Sequence, residues 1–196
     1  MPRMTLAIAP AIQAGTLSVT AQPVLPSRDG DVLLRPWEAE DAPVLQRAYE
    51  DPSIRRWHTH HVTSPAEARD WIAAARRSWE QEQAAQWAVM RGGDVLGRMD
   101  LRWLDLVHGL AECAYWVLPR ARGTGVAPRA LATLAAWALD EAGFHRLELA
   151  HSVANEASCR VAAKSGFAWE STRRSAHLQS DGWHDMHVHA RVQGDA

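Results

Sequence analysis

The stretch that decides the fold is Trp116-Val117-Leu118-Pro119-Arg120-Ala121-Arg122-Gly123-Thr124-Gly125-Val126-Ala127. It joins an apolar strand end to a loop with two glycines and then to the start of a helix. Glycine lets the backbone approach a ligand closely, and the first turn of a helix offers unpaired N–H groups at the positive end of its dipole. The stretch therefore predicts a phosphate cradle, with charge added by Arg120 and Arg122. A plain strand-to-helix turn also fits, whereas a Walker A loop is excluded because no Lys-Ser/Thr pair follows the glycines.

Strands and helices alternate on both sides of this loop. Apolar runs and turn signals predict strands over residues 32–35, 86–91, 95–103, 111–118, 146–150, 167–171 and 183–192. Apolar stripes with capping residues predict helices over residues 39–50, 64–83, 126–142 and 155–165. Ser64 and Glu67 are interpreted as a capping box at the second of these helices, and Asn155 is interpreted as the N-cap of the last. This order predicts one α/β domain with a mixed sheet over residues 31–196.

The composition of the 196 residues narrows the class of protein. A formal charge of −2 argues against a whole-surface nucleic-acid binder, so no direct nucleic-acid partner is expected. No apolar stretch reaches the roughly 18 residues of a membrane span. The two Cys cannot build a disulfide framework, which favours a reducing cytoplasm as the location.

Residues 1–30 form an N-terminal segment that is rich in Ala, Thr, Ser and Pro. Its apolar run is short and is interrupted by Pro10, which disfavours a secretory signal. We expect a flexible arm, or one added strand over residues 16–24 in which Leu17 and Val19 alternate with polar neighbours.

Three segments in matching order resemble the GNAT superfamily of N-acetyltransferases. The central one is Glu112-Cys113-Ala114-Tyr115-Trp116-Val117-Leu118-Pro119 followed by Arg122-Gly123-Thr124-Gly125-Val126-Ala127. It fits the family motif R/Q-x-x-G-x-G/A in two registers, and the distance from Tyr-Trp-Val-Leu-Pro favours the register that starts at Arg122. Downstream, residues 155–167 look like the family's N-x-x-S-x-x-V-x-x-x-x-G-F segment. Upstream, Leu34-Arg35-Pro36 and Glu40-Asp41-Ala42 look like the opening of the RimJ/RimL branch, which includes ribosomal-protein N-terminal acetyltransferases.

The resemblance, which covers residues 31–192, implies a fold and a co-substrate. The fold is a single α/β domain with a mixed, mostly antiparallel sheet, in which two central parallel strands, here 111–118 and 146–151, splay apart between flanking helices. Acetyl-CoA lies in that split, and an amine is the acceptor. The implied acetyl-CoA-binding residues are Trp116, Val117, Leu118, Arg122, Gly123, Thr124, Gly125, Val126, Ala127, Asn155 and Arg160. Dimers are common in the resembled branch, which leaves a homodimer open.

Acetyl transfer to an amine needs a base, because most free amines are protonated at neutral pH. Glu112 is the only charged side chain between Gly109 and Arg120, and strand alternation places it on the same face as Trp116. Members of the resembled branch carry a glutamate base in this context. The alternative is a solvated glutamate on the face of a sheet.

The proton donor for the CoA thiolate is a second question. Many members of the superfamily use a tyrosine in the helix after the second splayed strand, but no tyrosine follows Tyr115 here. Ser158 stands where the resembled branch places a serine near the CoA sulfur. We interpret Ser158 as the proton donor, and water or a plain helix-surface serine are the alternatives.

His187 and His189 share one strand face and could bind zinc. No Cys or carboxylate completes a set at familiar spacing, so surface histidines are the favoured interpretation and no metal is expected. Cys159 could act as a nucleophile, but direct attack by the amine needs no acyl-enzyme.

Two classes of function remain. The first is an acetyl-CoA-dependent N-acetyltransferase that acts on a protein N-terminus or a small-molecule amine. The second is a non-catalytic acyl-CoA-binding or regulatory domain on the same fold. Retention of Glu112 beside an intact phosphate loop favours the enzyme.

Overall fold

The chain folds around a twisted sheet that helices cover on both faces. The computed structural model describes residues 8–58 and 61–195. The strands in this part of the chain are β1 (Leu25–Pro26), β2 (Leu33–Pro36), β3 (Ala84–Arg91), β4 (Asp94–Asp105), β5 (Leu110–Val117), β6 (Arg146–Ser152), β7 (Ala168–Gln179) and β8 (Gly182–Val192). The α-helices are α1 (Ala42–Glu50), α2 (Pro52–Arg55), α3 (Pro65–Glu80), α4 (Val126–Asp140) and α5 (Glu156–Lys164).

The strand order in the sheet is β1-β2-β3-β4-β5-β6-β8-β7, and one neighbouring pair, β5 and β6, runs parallel. These two strands pair from Leu110 opposite Arg146 to Glu112 opposite Glu148. Farther along, β5 stays paired with β4 and β6 stays paired with β8, so the two central strands separate. The predicted mixed, mostly antiparallel sheet with two splayed central strands is thereby confirmed.

Apolar side chains pack on both faces of the sheet because both faces are covered by helices. The core under α4 includes Leu131 and Leu134, and the core under α1 and α3 includes Trp37, Ile72 and Trp116. Trp116 therefore anchors the strand that leads into the glycine loop. None of the helices in the described ranges combines the length and apolarity that a membrane crossing requires.

The described part of the N-terminal segment, residues 8–31, packs against the domain. Ile12 and Leu17 are buried. The carboxylate of Glu82 accepts hydrogen bonds from the N–H groups of Gly15, Leu17 and Ser18 at 2.6, 2.7 and 3.0 Å. These N–H groups lie in a run of turns and bond to a side chain rather than to a neighbouring strand. The prediction of a strand over residues 16–24 is therefore wrong. The segment adds the two-residue strand β1 at the sheet edge, where it pairs with β2.

Helix α3 begins where the sequence predicts, but its cap differs in detail. The Ser64 hydroxyl accepts from the N–H of Glu67 at 3.1 Å, as expected of an N-cap. The Glu67 carboxylate bonds to the N–H and the hydroxyl of Thr63, both at 2.7 Å, so it reaches one residue farther back than a capping box requires. The helix ends at Glu80, three residues before the predicted end at residue 83.

Candidate active site

A cavity of about 590 Å³ opens where β5 and β6 separate. Glu112 and Tyr115 line it from β5, Ser152 lines it from β6, and Asn155 and Ser158 line it from α5. The space exists because the two strands stop pairing at Glu112, so neither fills the gap beyond it. The splay thus brings the predicted base and the predicted hydroxyl into one cavity.

Glu112 lies at the last paired position of β5, and its side chain is 14% exposed. Its Oε1 accepts a hydrogen bond from Nε of Arg102 at 3.0 Å and forms an ion pair with Nη2 of the same guanidinium. Oε2 accepts no hydrogen bond from a described residue. Trp116 shares the face of Glu112 but packs against Trp37, with ring centroids 6.3 Å apart. The partner that orients the carboxylate is therefore Arg102 of β4, which sequence reasoning did not single out.

Ser158 makes two hydrogen bonds that fix its position at the start of α5. Its N–H donates to Oδ1 of Asn155 at 3.2 Å, which confirms Asn155 as the N-cap. Its Oγ accepts a hydrogen bond from the hydroxyl of Tyr115 at 3.1 Å. Burial raises the pKa of Tyr115 to about 12, so the phenol is protonated at neutral pH and can donate. Alternation along the strand places Tyr115 on the face opposite Glu112. For that reason the sequence does not predict that the Tyr115 hydroxyl contacts Ser158.

The loop after β5 has the backbone geometry that a phosphate cradle requires. Gly123 and Gly125 adopt φ angles of 76° and 82°, a conformation that favours glycine, and Gly125 is the N-cap of α4. The backbone N–H groups of residues 123–127 donate to no acceptor among the described residues. They lie at the positive end of the α4 dipole, where an anion is stabilised.

The predicted arginines differ in where the structure places them. Arg122 braces the loop, because its Nε donates to the carbonyl of Val117 at 3.2 Å and its Nη1 donates to the hydroxyl of Ser53 at 2.8 Å. Arg120 donates to the carbonyl of Val95 at 3.0 Å. Arg160 is exposed on α5, pairs with Glu156 on the same helix, and is not among the residues that line the cavity.

Two further arginines reach the glycine loop from distant parts of the sequence. Arg91 of β3 donates to Oγ1 of Thr124 at 3.2 Å, and Arg129 of α4 donates to the carbonyl of Thr124 at 3.4 Å. Arg91 lies at the end of its strand and has no motif around it, so no sequence signal marks it. Both guanidinium groups lie beside the free N–H groups of the loop, and each is also ion-paired, Arg91 with Asp31 and Arg129 with Asp29.

A buried ion pair lines another wall of the cavity. Nε of Arg98 lies 3.0 Å from Oδ2 of Asp100, and Nη1 of Arg98 donates to the Tyr49 hydroxyl at 2.5 Å. Burial raises the pKa of the Asp100 carboxyl, and the charge of Arg98 opposes that shift. Oδ1 of Asp100 is buried without a hydrogen-bond partner among the described residues. Charged residues alternating along the apolar strand β4 were the signal that could have identified this pair.

His58 closes the same side of the cavity, together with Trp57 and Trp71. Burial lowers the pKa of His58 to about 3, with the charges of Arg98 and Arg102 contributing in the same direction. The imidazole is therefore neutral at physiological pH. This wall presents an aromatic surface and a neutral ring to whatever enters.

One histidine of β8 is buried, whereas the sequence favours surface histidines on this strand. His189 is 2% exposed, so the surface interpretation is wrong for this residue. The pairing of β6 with β8 places His151 opposite His187, and Cys159 of α5 completes a group whose potential ligand atoms all lie within 4.8 Å of one another. The sequence analysis found no Cys at familiar spacing from these histidines, because Cys159 comes from a helix at a spacing that no sequence motif describes.

Comparison with known proteins gives relatives that share this fold. YdaF of Bacillus subtilis (strain 168) is 27% identical over 117 residues, which are 60% of this chain and 62% of that protein's length. The ribosomal-protein-serine acetyltransferase of Escherichia coli (strain K12) is 21% identical over 131 residues, which are 67% of this chain and 73% of the relative.

Solved structures resemble this chain over most of its length. RimL, a ribosomal α-N-protein acetyltransferase in complex with coenzyme A, superposes with a TM-score of 0.82 at 18% identity and covers 89% of this chain and 100% of its own. RimJ of Mycobacterium smegmatis, in complex with a CoA-disulfide, has a TM-score of 0.78 at 20% identity and covers 87% of this chain and 86% of its own. At these identities the likeness establishes the fold.

The family assignment follows from the match to the domain as a whole. The family described as acetyltransferase (GNAT) domain matches residues 31–168, which are more than half of the chain. The matched range includes β5, β6 and α5, which contribute residues to the cavity, and also the glycine loop and α4. The chain therefore belongs to the GNAT acetyltransferase family.

Proposed function

We propose that this chain transfers the acetyl group of acetyl-CoA to the α-amino group at the N-terminus of a ribosomal protein. The observation that carries the proposal is the cavity between the splayed strands, to which β5 contributes a carboxylate and α5 a hydroxyl. The acceptor class is suggested by relatives, since one is named a ribosomal-protein-serine acetyltransferase and a structural neighbour is named a ribosomal α-N-protein acetyltransferase.

Acetyl-CoA binds along β5 and the glycine loop in this proposal. The N–H groups of residues 123–127 donate to the pyrophosphate, and Arg91 and Arg129 add charge beside them. Residues 116–118 have no strand partner on the β6 side. The Val117 carbonyl accepts from Nε of Arg122 and the Leu118 N–H donates to Leu96, so the remaining backbone groups of this edge pair with the amides of pantetheine. This path directs the thioester toward Glu112 and Ser158.

The base in this proposal is Glu112. Arg102 fixes the carboxylate through Oε1, and Oε2 accepts a proton from the ammonium group of the acceptor, directly or through a water molecule. The neutral nitrogen then attacks the thioester carbonyl.

The leaving thiolate receives a proton in the last step. The C–N bond forms, the C–S bond breaks, the electron pair of that bond leaves on sulfur, and the nitrogen gives up its second proton to solvent. Ser158 donates its hydroxyl proton to the thiolate, and Tyr115, which already donates to the Ser158 oxygen, replaces it. Solvent then restores the proton of Tyr115.

The test of this function is CoA-thiol release from acetyl-CoA in the presence of an acceptor panel. We expect turnover with peptides that carry the free N-termini of ribosomal proteins, and none with the same peptides blocked at the α-amine. Turnover with small amines alone would refute the protein acceptor. CoA binding without turnover on any acceptor would favour the non-catalytic alternative.

Loss of the Ser158 hydroxyl is expected to slow turnover modestly. Ser158→Ala and Tyr115→Phe each remove one member of the hydrogen-bonded pair, and a loss of about 1 kcal/mol corresponds to roughly a fivefold lower kcat. The measurement is kcat at saturating acetyl-CoA for both variants and for the double variant. Because the two residues act in one relay, the double variant should lose little more than either single one. An unchanged kcat in all three would leave solvent as the proton source.

A further inference from the structure

We infer that His151, Cys159, His187 and His189 form a binding site for a divalent transition metal of the zinc type. His151 comes from β6, His187 and His189 come from β8, and Cys159 comes from α5. None of these four side chains has a role in the proposed acetyl transfer. The site adjoins the catalytic cavity, since His151 also lines that cavity.

The backbone of the sheet places the three histidines on one face. His151 and His187 are directly opposite in the antiparallel ladder, and His189 is two residues farther along β8 on the same face. The rings of His151 and His189 stack at a centroid distance of 5.2 Å. Cys159 adds a sulfur atom from α5, so that one potential ligand atom of each residue lies within 4.8 Å of the others. Tetrahedral zinc bonded to nitrogen and sulfur needs ligand separations of roughly 3.5 Å, which side-chain rotations alone can supply.

The hydrogen bonding of these histidines leaves the nitrogen atoms that a metal requires. Nδ1 of His151 lies 2.8 Å from the carbonyl oxygen of Ser152, which fixes the N–H at Nδ1 and the lone pair at Nε2. That Nε2 is buried and has no partner among the described residues, and the same holds for Nδ1 of His187 and for one ring nitrogen of His189, whose ring also lies beside the backbone of Phe167. Buried polar atoms without partners are costly, and a bound cation removes that cost.

The ligand chemistry of the cluster also suits a transition metal. The side chains of His151 and His189 are more than nine-tenths buried. Three imidazoles and one thiolate are the ligands that zinc prefers, whereas magnesium and calcium prefer oxygen. No oxygen ligand belongs to the group, which favours zinc over either of these ions.

A metal at this place would tie α5 to the sheet. Cys159 directly follows Ser158 in the helix, and Asn155 caps the same helix. The bound ion would therefore hold the helix start that carries the Ser158 hydroxyl against β6 and β8. This effect should appear as a higher Tm in the presence of metal, since binding to the folded state alone stabilises it.

The experiment is cobalt substitution in the full-length protein, with zinc content measured on the same preparation. We expect one equivalent of Co²⁺ per chain, the visible absorption of a tetrahedral site, and a thiolate-to-cobalt charge-transfer band. Cys159→Ser should abolish the charge-transfer band and weaken metal binding by at least about tenfold, and His187→Ala should weaken it similarly. Cys113→Ala removes the other thiol, which is buried in the core under α4, and it should leave the band unchanged.

The outcomes separate the site from adventitious binding. Absence of stoichiometric Co²⁺ and Zn²⁺ binding would overturn the inference, and so would a charge-transfer band that survives in Cys159→Ser or is lost in Cys113→Ala. Binding without any thiolate band would also contradict the four-residue site. Because the readouts are metal content, absorption and Tm, they do not depend on which amine the enzyme acetylates.

Discussion

Gly125→Glu is expected to abolish acetyl-CoA binding, with a loss in affinity of at least about a hundredfold. Gly125 is the N-cap of α4 with φ 82°, and its N–H belongs to the proposed phosphate cradle. A carboxylate there repels the pyrophosphate and occupies its space. A side chain at this position also meets Arg129, since an added Cβ would lie 2.4 Å from Nη1 of that arginine, which must then move away from the loop.

Calorimetric titration with CoA measures this loss, and the chain offers a matched control. Gly93→Glu introduces the same charge at a similar φ of 88°, in the β3–β4 hairpin with open space around it. This control should share the backbone strain but keep the affinity for CoA within about twofold. Unchanged affinity in Gly125→Glu would place the phosphates elsewhere.

Glu112→Gln is expected to lower kcat by about a hundredfold to a thousandfold, while the Kd for CoA changes little. The amide keeps the size of the side chain but cannot accept a proton from the ammonium group. Its position at the end of the β5–β6 pairing is far enough from the glycine loop that CoA binding should persist. Single-turnover kinetics at saturating acetyl-CoA measure the chemical step directly.

Glu148→Gln is the control for this change. Glu148 pairs with Glu112 across the two strands and is also ion-paired, to Arg146 and Arg173, but it is not among the residues that line the cavity. Its substitution should alter Tm slightly and leave kcat near the wild-type value. A wild-type rate in Glu112→Gln would remove Glu112 as the base.

Much of the fold could be predicted from the sequence because its signals are local. The structure has the predicted strand in the apolar run that ends at Pro119, the predicted loop at the two glycines, and the predicted helix in the Ala/Leu-rich stretch after them. The predicted N-cap Asn155 is also confirmed. The prediction of a strand over residues 16–24 was wrong because alternating apolar residues indicate a strand only if the backbone N–H groups bond to a neighbouring strand. Here the carboxylate of Glu82, which is distant in sequence, accepts hydrogen bonds from these N–H groups instead.

The parts of the site that escaped prediction depend on contacts between distant segments. Tyr115 reaches Ser158 only because the strands separate, so a rule that assigns alternate residues to opposite faces could not place them together. Cys159 meets the β8 histidines only when α5 packs on the sheet. Both examples concern side chains whose partners lie across the splay or across a layer, where residue spacing carries no information.

The proposed function requires that acetyl transfer takes place in the opening between β5 and β6. A crystal structure of the protein with CoA examines this requirement. We expect the CoA sulfur in the cavity between Glu112 and Ser158, with pyrophosphate oxygens about 3 Å from the backbone nitrogens of residues 123–127. A CoA molecule whose sulfur lies outside this cavity, or whose pyrophosphate contacts another part of the surface, would contradict it.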